Sequence, residues 1–274
     1  MLFLLVDVLS GESMESWDVI VVGSGIAALR SAIAASDAGA TVSVIESGGP
    51  GSGQSKTGTT GYAASISESD HLGHVSNTSS AGFGLTNSKV VEQRCSSATS
   101  HLIELERWGL NIQRNDSGAP YSAEAPGHSS PRLCYAGDST GREMVRILEE
   151  QCMKRGIPRK HDLHVISVCA EDERIRGIVV LDIQTGVIGS IQAKAVILAT
   201  EDHSGLWLDE GGSGLGSSLA LRAGAKLRGM EFVSWYPFCV PTSNYRLPLS
   251  LIDAGARLRK TNGEDVELSG TMTE

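Results

Sequence analysis

Lysine- or arginine-rich runs are missing from this chain, and acidic residues outnumber basic ones to give a net charge of −9. A phosphate backbone calls for the opposite balance, so no nucleic acid is expected as a partner. CxxC pairs are missing as well: the five cysteines (Cys95, Cys134, Cys152, Cys169 and Cys239) are scattered. A metal or iron–sulfur site built by this chain alone is therefore not expected, and the odd, dispersed count fits reduced thiols in a cytoplasmic protein. Proline is scarce, at 8 residues against 32 glycines. That balance points to tight turns and close backbone approach to a ligand rather than to a disordered chain. Long apolar runs are also lacking. Met1 to Leu9 is apolar but too short to span a bilayer, and it lacks a charged leader and a small-residue cleavage site. Neither a direct membrane span nor a signal peptide is expected. The residues ahead of Met14 read as translation from an upstream start codon or as a true extension, the first being preferred.

The chain has 274 residues, 41% of them hydrophobic, enough for one large domain or one domain with a smaller insertion. Its most informative stretch runs from Trp17 to Glu46. Trp17 to Val22 (WDVIVV) is a β-rich run, followed by Gly23-Ser24-Gly25-Ile26-Ala27-Ala28 and an alanine-rich helical stretch from Ile26 to Ala38. Gly39 closes that helix, Thr41 to Ile45 is a second strand, and Glu46 stands at its end. Gly23 permits the turn out of the strand, Gly25 lets backbone approach a pyrophosphate, and Ala28 is small enough for close helix–strand packing. The helix N-terminus offers unpaired N–H groups and a positive dipole end to phosphates. Glu46, 21 residues after Gly25, is placed to bind adenosine ribose hydroxyls, and its charge disfavours NADP. This unit predicts a dinucleotide but does not separate NAD from FAD.

Downstream, Pro50 to Gly61 is rich in glycine, serine and threonine, either a flexible surface loop or a run of hydroxyls and amides along a cofactor. Residues 66–86 look irregular. Ser88 to Trp108 reads as a helix with Ser88 as its N-cap. Thr140 is expected to cap a helix from Gly141 to Lys154 that buries Met144, Val145, Leu148 and Cys152. Three short strands at 164–170, 175–183 and 187–192 read as an antiparallel meander, Ala195 to Ala199 as a separate buried strand, and Leu215 to Ala223 as a helix.

Four stretches carry a family resemblance: DVIVVGSGIAALRSAIAASDAGATVSVIE, SKTGTTGYAAS, GHSSPRLCYAGDSTGREMVRILEEQC, and AKAVILAT with GSGLGSSLALRAGA. Their order resembles the flavoprotein subunits of succinate dehydrogenase and fumarate reductase, a family that includes L-aspartate oxidase. The resemblance implies FAD rather than NAD. It implies an α/β fold: a Rossmann-like FAD-binding domain of the glutathione-reductase type over 17–240. That domain has a mostly parallel sheet and a β-meander at about 163–192. An N-terminal extension covers 1–16, and the start of a capping domain covers 241–274. By resemblance Gly23, Ser24, Gly25, Ala27 and Ala28 hold the pyrophosphate, and Glu46 and Ser47 face the adenosine ribose. Ser55, Lys56, Thr57 and Gly61 run along the flavin, Val165 lies near the adenine, and Ala199 and Thr200 pass close to the pyrophosphate.

The chain also departs from the family's pattern. Lys56 stands where membrane-complex members carry a flavin-linked histidine, which implies non-covalent FAD. Thr200-Glu201-Asp202 replaces Thr-Gly-Gly and brings negative charge toward a pyrophosphate. Tyr236-Pro237-Phe238 replaces His-Pro-Thr, Leu215 an aspartate, and Ala254 a glutamate. Family members continue well past the length of this chain, through a capping domain whose arginine moves a proton. Arg257 and Arg259 fall in the right region but read as solvated arginines. His128 reads equally as a structural cap or a substrate contact. The implied activity is hydride transfer between FAD and a small dicarboxylate or amino acid, with a partner chain completing the site. The other reading is a truncated module that folds or associates without turnover.

Overall fold

The computed structural model describes residues 15–49, 53–59, 61–125, 127–137, 139–207, 212–233, 239–240, 245–246 and 255–266. The chain divides into two compact units, Met1–Thr59 with Gly141–Val233 and Thr60–Thr140 with Ser234–Glu274. Residues 60–140 form an excursion of their own and group with the C-terminal stretch.

Elements in chain order are β1 (Ser16–Val22), α1 (Ile26–Asp37), β2 (Val42–Ile45), α2 (Ser55–Gly58), β3 (Tyr62–Ala63), α3 (His71–Ala81) and α4 (Ser88–Arg107). They continue with β4 (Ser122–Ala123), β5 (Leu133–Cys134), α5 (Thr140–Lys154), β6 (Arg159–Lys160), β7 (Leu163–Glu171), β8 (Arg174–Asp182) and β9 (Ile188–Leu198). The last are α6 (Leu215–Arg222), β10 (Cys239–Val240) and β11 (Tyr245–Arg246).

The first unit is built on a six-stranded sheet in the order β6-β2-β1-β9-β8-β7. Strands β6, β2, β1 and β9 run parallel, and β9, β8 and β7 pair antiparallel. This is the α/β fold with a mostly parallel sheet that the sequence predicts, with one correction. The third meander strand and the Ala195–Ala199 strand are not separate. They are one continuous strand, β9, whose first half pairs with β8 and whose second half pairs with β1 through Ala195–Leu198. Lys194 lies between the two predicted runs. It sits on an exposed turn of the pleat, where a charged side chain reaches solvent and pairs with Asp18 without interrupting the ladder.

The core follows from the two periodicities. All four residues of β2 are buried, as a strand covered on both faces requires. Ile20, Val22, Ile45, Val165, Val168, Ile178, Val180, Ile191, Ala193 and Leu219 form one continuous apolar cluster. Each large aliphatic in it contributes about 1.5–3 kcal/mol on full burial. Helix α1 packs on β1 and β2 and buries Ala28, Leu29, Ala32 and Ile33. Helix α5 buries Met144, Val145, Leu148 and Cys152 as its spacing predicts. Thr140, however, does not cap that helix. It is the first helical residue, and its Oγ1 accepts from the Ala136 N–H, 3.1 Å away, in the preceding turn.

In the second unit residues 66–86 are not irregular. They contain α3, whose serine-rich sequence offers no apolar stripe and whose one buried residue is His74. Helix α4 buries Val91, Cys95, Ala98, Leu102 and Leu105, a period near 3.6. Its N-cap is Asn87 rather than Ser88, with Oδ1 accepting from the Val90 N–H at 3.3 Å. No described helix is long and apolar enough to cross a membrane.

Candidate nucleotide site

The parallel strands β1 and β9 end side by side, and a cavity of about 560 Å3 opens beyond their C-terminal ends. In sheets of this kind that is where ligands collect, and the volume suits a nucleotide-sized molecule. Its wall combines the turn after β1 (Gly23, Ser24, Gly25 and Ala27), the end of β2 (Ile45, Ser47 and Gly48), the 53–55 segment and Val165. The end of β9 (Ala199 to Asp202) and Ser213 and Leu215 close it. Among the described wall residues there is no lysine or arginine, so an anion here meets N–H groups and hydroxyls rather than a fixed cation.

The turn after β1 is held by sterics. Gly23 has φ +134°, and a Cβ there would lie 2.2 Å from the Ala199 carbonyl oxygen. Ala28 packs against the same glycine, as its small size requires, and is fully buried rather than on the cavity wall. Gly25 is N-cap of α1 in extended conformation, and no side chain of its own can cap the helix. The Ser55 hydroxyl does that from across the loop, accepting from the Ile26 N–H at 3.2 Å.

Nine of the residues singled out from sequence converge on the cavity: Gly23, Ser24, Gly25, Ala27, Ser47, Ser55, Val165, Ala199 and Thr200. With Ala28, four are not among its described wall residues. Lys56 lies in α2 beside Ser55 without lining it. The side chain of Thr57 lies outside the described residues. Gly61 belongs to the second unit and abuts β5, where an added Cβ would meet Leu133 Cγ at 2.6 Å.

Glu46 is the fourth and the most instructive. It is 1% exposed, and its Oε1 accepts from Arg159 Nε at 2.7 Å, with His161 Nδ1 3.3 Å from Oε2. Burial works against the Arg159 charge, but Glu46 and Glu149 outweigh it and raise the guanidinium's pKa further. The short parallel strand β6 brings Arg159 alongside Val44 and so gives the carboxylate at the end of β2 a guanidinium partner. Sequence spacing cannot reveal a partner 113 residues away.

Asp202 also departs from the simplest expectation. Its Oδ1 accepts from the Ser204 N–H (3.1 Å), the Ser204 hydroxyl (2.7 Å) and the Gly212 N–H (3.0 Å). Burial would raise this carboxyl's pKa, but those donors together hold it below the ordinary range. Its charge is thereby spent on organising its own turn, and Glu201 is left exposed on the wall.

Sequence reasoning missed a second polar centre, in the other unit. Arg132 is fully buried and grips Asp70 with two bonds of 2.6 Å, and its Nη1 reaches Asn77 Oδ1 (2.8 Å) and His128 Nδ1 (3.2 Å). His128 of the Gly-His-Ser motif is therefore a structural partner. Burial, reinforced by Arg132, lowers the pKa of both His128 and His74. Gly73 leaves room for the guanidinium, since a Cβ there would lie 2.9 Å from Arg132 Nη2. Arg257 and Arg259 are exposed and both pair with Asp265. Trp235 to Phe238, Pro248, Leu249 and Ala254 lie outside the described residues. Cys95, Cys134, Cys152 and Cys169 are free thiols.

Comparison with known proteins follows the same lines. The sequence profile of the family described as "FAD binding domain" matches residues 18–271. The succinate dehydrogenase flavoprotein subunit of Rickettsia felis is 27% identical over 265 residues, covering 91% of this chain and 44% of that protein. An uncharacterised FAD-dependent oxidoreductase of Methanocaldococcus jannaschii is 34% identical over 228 residues, covering 80% of this chain and 42% of its own length. A solved E. coli quinol fumarate reductase chain superposes with a TM-score of 0.86 at 27% identity, covering 92% of this chain and 45% of that one. The chain therefore spans less than half the length of these relatives. The likeness bears out the expected flavoprotein fold and the choice of FAD over NAD.

Proposed function

Because the chain belongs to the FAD binding domain family, we propose that it is the nucleotide-binding part of an FAD-dependent oxidoreductase of the succinate dehydrogenase and fumarate reductase flavoprotein type. The observation that carries this reading is the cavity at the ends of β1 and β9, with the Gly23–Gly25 turn on one side and Ala199–Thr200 on the other. The residues present fit the nucleotide end of FAD: a glycine turn that no side chain could occupy, and the hydroxyls of Ser24, Ser47, Ser55 and Thr200 around it.

In this reading FAD, when bound, supplies hydride exchange at the flavin ring. The chain's own residues bind and orient. The N–H groups of the β1 turn and the α1 dipole take the pyrophosphate. Ser47 and Val165 bound the adenosine end, and Thr200 offers a hydroxyl opposite Ser24. Lys56, in place of the linking histidine, leaves FAD non-covalent. A small dicarboxylate or amino acid as substrate, a partner polypeptide completing the site and a cytoplasmic location belong to the same proposal. Family resemblance and the free thiols support them.

The visible absorption spectrum of the purified protein is the test. A flavin band, recovered in the supernatant after denaturation, is the expected result. A colourless protein that takes up no added FAD sinks the reading. A second reading, a folded module without turnover, is favoured by Glu201 on the cavity wall. Succinate oxidation coupled to a reducible dye, or fumarate reduction driven by a reduced dye, separates the two.

A further inference from the structure

We propose that the corner joining α3 and α4, with Phe83 at its apex, is a self-association surface on which a second copy of this chain docks. The assignment is independent of the nucleotide reading above and concerns a face of the second unit.

Helices α3 and α4 pack against each other, and residues 82–87 turn the chain between them. Phe83 is 85% exposed there, more than any other large hydrophobic residue described. Its φ is +49°, in the left-handed region, just past a helix end where glycine is the usual occupant. Gly82 and Gly84 stand on either side, yet the phenylalanine holds the strained place. Hydrogen bonds fix the turn: the Phe83 N–H donates to the Ser80 carbonyl at 3.0 Å, and the Leu85 N–H to the Gly82 carbonyl at 2.8 Å. A strained ring that gains no burial within its own chain marks a contact made outside it. Trp207, next in exposure among the described aromatic side chains, differs in resting edge-on against His203 with ring centroids 5.6 Å apart.

Charge decides what docks there. Charged residues make up 20% of the chain, but His71 to Ser88 contains no Asp, Glu, Lys or Arg. Interface centres are depleted of charge and enriched in aromatic rings. A lipid surface would call for lysines and arginines around the ring, and this run has none. Two copies of a chain with net charge −9 repel each other over most of their surfaces, so an uncharged face is where they can meet. Leu85 and Val90 extend the apolar surface from Phe83, and Lys89 and Glu92 flank it, all of them exposed. Neither Lys89 nor Glu92 has an ion-pair partner among the described residues. A two-fold interface presents the same patch twice, so Lys89 of one copy can face Glu92 of the other and each rim charge meets its opposite.

Sedimentation velocity on the whole chain, over a concentration series, tests the assignment. The wild type is expected to pass from monomer to dimer with a Kd of about 10–100 µM, as a small patch anchored by one ring gives. Phe83→Asn, which suits a left-handed φ and removes the ring, is expected to weaken dimerisation at least about 10-fold without lowering the melting temperature. Phe83→Tyr retains the dimer. Lys89→Glu weakens it about 2- to 5-fold at low salt, and Lys89→Glu combined with Glu92→Lys restores it. A wild type that stays monomeric throughout overturns the assignment while leaving the nucleotide site standing. A dimer that Phe83→Asn leaves intact, or that the double charge exchange fails to restore, overturns it as well. Circular dichroism shows whether each variant is folded, and the Lys89 and Glu92 exchange decides the question if Phe83→Asn is not.

Discussion

The two strand ends that frame the cavity are built in opposite ways. At the end of β1 the backbone does the work: Gly23 at φ +134° touches the Ala199 carbonyl, and no side chain is required. At the end of β9 side chains do it, with Asp202 drawing Ser204 and Gly212 into a turn around one oxygen. The first solution is rigid to substitution because no larger residue fits. The second replaces backbone freedom with a hydrogen-bonded carboxylate, and so depends on charge, on pH and on one residue's identity.

The sharpest way to break the contrast is Gly23→Ala. The new Cβ would overlap the Ala199 carbonyl at a φ that alanine avoids, and a loss of about 3 kcal/mol or more is expected in urea unfolding. A loss below 1 kcal/mol would mean that the β1 end yields. Next comes Glu46→Gln, which removes the counter-ion of a half-buried Arg159. It is expected to cost about 1–3 kcal/mol in stability while leaving adenosine affinity within about twofold. If adenosine binding falls while stability holds, the carboxylate serves the ribose after all.

Asp202→Ala should cost less, about 0.5–1 kcal/mol, because the turn it organises is solvent-exposed. Its contribution has a defined pH window. The folded carboxyl sits below its ordinary value, so the stabilisation is complete above about pH 4 and is lost as pH falls toward the folded value. Acid unfolding of wild type against Asp202→Ala therefore converges at low pH. The histidines of the other unit add a separate step. His74 and His128 have folded values below 6.5, so the stability tied to their neutral forms is present above that pH and lost as pH drops below it. His128→Gln should shrink that step. The smallest effect is expected from Glu201→Gln: an exposed charge removed near the phosphates should tighten ADP about two- to threefold at low salt and hardly at all at high salt.

How much of this was legible in the sequence follows the same division. The β1–α1–β2 unit was readable almost to the residue, because glycine spacing, alanine packing and strand alternation are local and each has a steric cause. Leu215 to Arg222 was readable for the same reason. Helix α3 was not, since its serines, asparagine and histidines carry no periodic apolar face and Arg132, which bonds its Asn77, lies 55 residues away in sequence. Glu46 could be placed at the end of β2 from spacing, but its partner Arg159 could not. The acidic pair after β9 could be seen as a departure, but not that Asp202 would be bonded into its own turn.

Strand β9 has one more consequence. Because it is a single ladder partner for both β8 and β1, the hairpin and the nucleotide cavity share one register. The tight corner at Thr185–Gly186, where Asp182 Oδ1 binds the Gln184 and Thr185 N–H groups, is thus a ruler set some distance from the cavity it measures. Adding or deleting one residue there would slide β9 by about 3.3 Å and swap its two faces. Ala199 and Thr200 would move with it, so a change in a surface corner would be transmitted along the strand as a displaced cavity wall.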